Sequence, residues 1–302
     1  MKKCIYTILA LAILVLNSCS NSEDSEFNQK SKVTTFKLSI DKKDNSRIKD
    51  DYTYYYVEVY SDEYFTTPAN IFISGDSTTN RMSNGSGEFS MILDITKDYH
   101  FLFFATTNDG CYDISNLQSV TLKQGKNPAQ AWSTSLSLMS RTDIINVELT
   151  RIVAKLSLYE TGKIPENSKL TLSYKQPITF NVATDKIVPL KEGEGERTDT
   201  INIYGGIDGT TSSVELYNKN IYILSSKYET ASLIDIYFKM TNAAEGAPKE
   251  DGFEKTNIPI RANHITKIEG HFTSISKNLF IVECGDDWNT TSNNIVFTEY
   301  DE

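Results

Sequence analysis

The residues able to do chemistry are few and badly spaced for it. The chain has three histidines, His100, His264 and His271. His100 lies in an apolar run and reads as a core or half-buried residue. His264 and His271 are seven positions apart, which matches no compact metal-binding spacing and puts them on opposite faces of a strand. Asp286 and Asp287 are adjacent, and on extended chain adjacent acids point apart; general acid–base work needs carboxylates at a set separation. No G-x-S-x-G elbow, phosphate loop or G-x-G-x-x-G is present. The reading is therefore of no catalytic residues, no metal and no cofactor. Trp288, in "DDWN", is the candidate ligand contact, as an aromatic platform for a sugar, although a tryptophan closing the base of a core gives the same pattern.

Cysteine chemistry is more informative. Lys2 and Lys3 precede a 12-residue apolar run, Ile5 to Leu16, too short to span a bilayer as a mature helix. Leu16, Asn17, Ser18 and Cys19 then resemble a bacterial lipobox, with cleavage between Ser18 and Cys19 and lipidation of Cys19. More than one acyl chain on such a cysteine makes a durable anchor. Cleavage removes two lysines and no acid, so the formal charge falls from −10 to −12. "SNSEDSE" behind Cys19 reads as a solvated tether. Cys111 and Cys284 remain in a compartment that permits disulfides, and are expected as two separate buried thiols.

These residues must be positioned by strands. Tyr and Phe number 17 and 14, and Thr, Ser and Ile are abundant, a β-leaning composition. Strand-like segments recur every 8 to 15 residues, among them "TFKLSI" (35–40), "YYYVEVY" (54–60), "YHFLFFAT" (99–106) and "IVAKLSLY" (152–159). No convincing amphipathic helix longer than two turns separates them, which favours sandwiches over α/β folds. The inward phase switches from odd to even positions at Thr150–Arg151, which demands a bend or a new sheet. The expected organisation is a signal peptide over 1–18, a tether over 19–32, one sandwich over 33–160 and another over 161–302. The acidic balance and scattered basic residues exclude a nucleic-acid partner. "DKKDNSRIKDD" (41–51) reads as an exposed charged loop, the kind of segment proteases nick.

The lipobox, "LTRIVAKLSL" and "TNIPIRANHITKIEGHFTSISKNLFIVE" together resemble the fimbrillin (type V pilin) superfamily of Gram-negative surface lipoproteins. The last run carries Asn257, Pro259, Asn263, Thr266, Ile268 and Gly270 in the family's spacing. The resemblance implies an all-β fold of two tandem transthyretin-like (Greek-key) sandwiches and a non-enzymatic structural or adhesive subunit, lipid-anchored in the outer membrane and part of a cell-surface fimbrium. Its partners would be other fimbrial subunits, with a host or bacterial surface ligand. It further implies that a trypsin-like protease removes the first strand, with Arg47–Ile48 as the candidate cut, and that another subunit's strand fills the groove. "NNIVFTEYDE" at the C-terminus is the candidate donor. The alternative is a monomeric surface lipoprotein that binds glycans or host ligands.

Overall fold

The structure is a computed structural model that describes residues 31–40, 53–73, 77–138, 143–216, 220–227, 231–242, 252–272, 280–285 and 295–297. It is all-β; among the described residues the helical pieces are short 3-10 turns at Asp109–Cys111 and Leu117–Ser119. The N-terminal half carries β1 (Ser31–Ile40), β2 (Tyr54–Tyr60), β3 (Ile71–Ile73), β4 (Ser77–Thr79), β5 (Arg81–Asn84) and β6 (Glu88–Asp94). It continues with β7 (Tyr99–Thr106), β8 (Tyr112–Asp113), β9 (Val120–Leu122), β10 (Ala131–Leu138) and β11 (Ile144–Arg151). The C-terminal half begins with β12 (Val153–Glu160), β13 (Lys163–Ile164), β14 (Ser168–Lys175), β15 (Thr179–Asn181), β16 (Lys186–Ile187) and β17 (Glu196–Ile203). There follow β18 (Ile207–Asp208), β19 (Val214–Glu215), β20 (Ile221–Leu224), β21 (Ser232–Asn242), β22 (Phe253–Ile260), β23 (Ile265–Gly270), β24 (Ile281–Cys284) and β25 (Ile295–Phe297).

The first half is one ladder in the order β4-β3-β6-β1-β11-β10-β7-β2-β5. It folds over on itself. Phe36 on β1 meets Phe101 on β7 at 4.6 Å between ring centroids, although β11 and β10 lie between those strands in the ladder. The turn-over falls at the end of β11, which pairs with β10 only through Arg151 and Thr150 while its earlier residues pair with β1. The inner faces enclose one core, with Phe36, Val57, Val59, Phe89, Met91, Phe101, Phe103 and Leu149 buried in it. In the second half, β19-β12-β23-β24-β25 with β20, and β17-β14-β21-β22, enclose another core around Leu156, Leu158, Leu170, Leu172, Ile236, Phe238 and Ile268.

A third core lies between the halves. Tyr56, Leu102, Phe104 and Tyr112 meet Ile152, Val153, Phe180, Tyr222 and Leu224. Strands β2 and β7 are buried on both faces for this reason, so they read as continuous apolar runs rather than alternations. A small sheet, β16-β15-β9-β8, also draws strands from both sides, with Thr179 opposite Thr121.

The expected change of face is present. Val147 and Leu149 are buried on β11, and Ile152, Ala154, Leu156 and Leu158 are buried after it. It coincides with the change of sheet, because β12 pairs with β19, β20 and β23 and not with the N-terminal ladder. Residues 153–160, expected within the first sandwich, therefore pair with strands of the second half. "VAKLSLYE" is continuous in sequence with β11, but its hydrogen-bond partners all follow it in the chain.

Candidate functional site

The N-terminal strand is the site that the sequence singled out. In β1 the inward positions are Thr34, Phe36 and Leu38, at 4%, 0% and 9% exposure, while Val33 faces out. Period-two alternation of this kind fixes one register, since a slip by one residue would turn Phe36 into water. Phe36 packs on Phe101 and, at 5.6 Å, on Phe103.

Both edges of β1 are paired. It runs antiparallel to β6, from Ser31 opposite Asp94 to Lys37 opposite Glu88. It runs parallel to β11, from Thr35 opposite Ile144 to Ile40 opposite Leu149. The Thr35 N–H donates to the Asp143 carbonyl at 2.8 Å and the Leu38 N–H to the Gly87 carbonyl at 2.8 Å. Gly87 has φ +70, and a β-carbon there would sit 3.2 Å from the Leu38 carbonyl oxygen, so glycine permits this close approach. Lys32 Nζ and Asp143 Oδ1 form an exposed ion pair at 2.6 Å. Taking β1 out would therefore open a groove with an apolar floor between two unpaired strand edges, the template that another extended chain can fill.

The chain leaves β1 at Ile40 and returns as β2 at Tyr54, with three strands between them in the ladder. Arg47 and Ile48 belong to that connection and lie outside the described residues, as do Ser18, Cys19 and Trp288. At the other end of the chain, β25 pairs antiparallel with β24 at a sheet edge, through Phe297 opposite Val282, Val296 opposite Glu283 and Ile295 opposite Cys284.

The chemically suggestive side chains elsewhere have structural partners. His100 is half-buried, with Nδ1 2.8 Å from Ser137 Oγ. His264 Nδ1 lies 2.7 Å from the Ala262 carbonyl, and His271 Nδ1 lies 2.6 Å from Glu160 Oε1. Among the described residues no three His, Cys, Asp or Glu side chains gather to hold a metal. Cys111 and Cys284 are separate buried thiols, and burial raises the Cys111 pKa.

Sequence reasoning missed two buried polar clusters. Glu58, 4% exposed in a run of aromatics, accepts from Tyr60 Oη at 2.8 Å, Arg81 Nη1 at 2.8 Å and the Leu117 N–H at 3.1 Å. Burial, with the Glu58 charge adding to it, pushes the Tyr60 hydroxyl up to about 12. Arg151, 1% exposed, donates to Asn263 Oδ1 at 3.2 Å and Gln130 Oε1 at 3.3 Å and lies over the Trp132 ring. The signal for Arg151 was its place at the change of face; for Glu58, a lone acid within "YYYVEVY". Both buried charges are held by hydrogen bonds from protein partners and join segments distant in sequence.

The sequence profile of a family described as Family of unknown function (DUF6562) matches residues 20–294. No curated protein matches the chain. Several solved structures are similar to the chain at low identity. A candidate cell adhesion protein from Parabacteroides distasonis is 12% identical with a TM-score of 0.47, over 88% of this chain and 95% of that one. A fimbrial assembly protein from Parabacteroides distasonis is 12% identical with a TM-score of 0.43, over 89% and 99%. The C-terminally truncated tip fimbrial protein Mfa3 from Porphyromonas gingivalis is 14% identical with a TM-score of 0.44, over 86% and 99%.

Proposed function

The chain belongs to the family of unknown function DUF6562, and within it we propose a non-enzymatic structural or adhesive subunit of a cell-surface fimbrium, joined to its neighbours by strand donation. In this reading it is exported as a lipoprotein, cut before Cys19 and held to the outer membrane by acyl chains, palmitate among them, on that cysteine. A protease then cuts at Arg47–Ile48. The observation that carries the reading is the berth of β1: a terminal strand, paired on both sides, whose apolar face floors a groove.

A cut between Arg47 and Ile48 severs the covalent link between β1 and the rest of the sandwich and leaves only pairing and packing to hold it. A strand from a second subunit offers the same hydrogen bonds, so exchange conserves most of what is lost. The C-terminal segment around β25 is the candidate donor, since among the described residues it pairs along one edge and not two. The lipobox and the fimbrillin-like motifs support the same assignment.

The test is made on protein from cells. The expected result is a mature N-terminus at Ile48 in a ladder of SDS-resistant species. Arg47→Ala should keep the N-terminus at acylated Cys19 and abolish the ladder. Wild-type protein that begins only at Cys19 and runs as a single band would rule out the polymerising subunit. A Cys19→Ser chain that still takes up labelled palmitate would rule out the anchor.

A further inference from the structure

The C-terminal half presents a second feature that strand exchange does not use. In β17 the inward residues Ile201 and Ile203 alternate with outward Asn202, and the next outward position is Tyr204, just past the strand end. Tyr204 is 77% exposed, the largest exposure among the exposed large hydrophobic residues described. Gly205 and Gly206 follow it. Nothing approaches within 4 Å of a β-carbon built at Gly205, so the space beside that residue is open.

The register builds a platform around that ring. Lys169 on β14 lies opposite Asn202 on β17 and opposite Thr241 on β21, so three polar side chains stand in a row on the outer face. One residue beyond the ladder, the Asn167 N–H donates to the Tyr204 carbonyl at 3.4 Å, which sets Asn167 beside Tyr204. Asn167 holds φ 58, a left-handed conformation that asparagine tolerates, and so turns the chain at the rim. These residues, with Ser168 and Ile203, line a shallow cavity of about 350 Å³.

The chemistry on offer is specific. The amides of Asn167 and Asn202 make no hydrogen bond to a described residue, and each presents both donors and an acceptor. Lys169 adds an ammonium with no ion-pair partner among the described residues. Thr241 Oγ1 donates to the Lys169 carbonyl at 3.2 Å and so keeps its acceptor capacity. A flat apolar ring bordered by mixed donors and acceptors fits a ligand with an apolar face and a hydroxyl rim. A pyranose has that form, with axial C–H groups on one face and hydroxyls at its edge. A nucleic-acid base would also stack, but its phosphates would meet a chain of formal charge −10. The cavity is at the lower end of the range for small-ligand sites, suited to one ring of a longer chain.

We propose that Tyr204, Asn202, Asn167, Lys169 and Thr241 form a saccharide subsite that takes one pyranose of a glycan against the Tyr204 ring. It differs from the site expected at Trp288 and stands apart from the β1 groove, so its failure leaves strand donation untouched. The test uses the full chain, as the uncut monomer, on an array of pyranose oligosaccharides. Saturation-transfer NMR follows on the best-bound one. Wild type should bind a subset and place the strongest saturation on C–H protons of a single ring. Tyr204→Ala should lose at least about tenfold in affinity, Asn202→Ala should lose several-fold, and Tyr204→Phe should retain most binding. Tyr64→Ala, which removes another tyrosine that is 75% exposed, should change nothing. A blank array, or an affinity that Tyr204→Ala and Asn202→Ala leave within about twofold, overturns the proposal.

Discussion

The two terminal strands sit in opposite kinds of place. Strand β1 is paired along both edges and buries Phe36 completely at the centre of the N-terminal core. Strand β25 is paired along one edge, over three residues, at the margin of the C-terminal sheet. The difference assigns them different roles in any exchange. A strand that floors a core leaves behind a place worth filling. A strand at a margin can leave with little lost. The first position suits an acceptor and the second a donor.

The contrast breaks most sharply in stability. Phe36→Ala should cost about 3–5 kcal/mol, the usual range for an aromatic removed from a packed core. Deleting residues 295–302 should cost about 1 kcal/mol, on the scale of a few edge hydrogen bonds. Denaturant unfolding of the two variants measures both, and equal losses would erase the distinction between the strands. An intermediate effect is expected at the junction. Arg151→Met leaves Gln130 Oε1 and Asn263 Oδ1 without their guanidinium donor and should cost about 2–4 kcal/mol. Because Asn263 belongs to the C-terminal half, the midpoints of both halves should fall together, read by tryptophan fluorescence for Trp132 and by hydrogen exchange on β14.

A smaller effect sharpens the register of β1. Gly87→Ala puts a β-carbon against the Leu38 carbonyl at a left-handed φ and should cost about 1–2 kcal/mol. Its signature is faster hydrogen exchange at Leu38, whose N–H donates to the Gly87 carbonyl. Unchanged exchange there would mean that β1 is not held by this turn.

Much of this contrast was legible in the sequence. Strands β2 and β7 match "YYYVEVY" and "YHFLFFAT" residue for residue, because unbroken aromatic runs between turn residues admit few other readings. The inward face of β1 was readable from Phe36, Leu38 and Ile40. Strand β10 was not anticipated: in "AWSTSLSL" hydroxyl residues occupy both faces, and Thr134 interrupts the apolar series of Trp132, Leu136 and Leu138. The third core was invisible for another reason. Tyr56, Leu102 and Phe104 announce that they are buried, but nothing local says that Tyr222 and Leu224 cover them. The Tyr204 platform escaped likewise, because Asn202, Lys169 and Thr241 become neighbours only through strand register.

The finest test of the contrast is alkaline pH. In the N-terminal half, burial raises the pKa of Tyr55, Tyr56 and Tyr60; in the C-terminal half, burial raises that of Tyr159. Tyr60 is the informative one, since its phenol donates to Glu58 and must stay protonated to do so. In the unfolded chain a tyrosine ionises near 10, whereas in the folded protein Tyr60 holds its proton to about 12. Its contribution is therefore complete below pH 10 and is lost as pH rises from 10 to 12, because the unfolded state releases the proton first. Wild type should lose stability across that window, and Tyr60→Phe should lose measurably less, since it has no proton to release. The neighbouring tyrosines keep the slope from vanishing. Tyr159→Phe, in the C-terminal half, should remove a smaller part of the slope, because Tyr159 is less deeply enclosed. If the two variants flatten the profile equally, the core between the halves, where Tyr60 lies, seals its phenol no better than the C-terminal sheet seals Tyr159, and the Glu58 cluster is not the closed site its contacts describe.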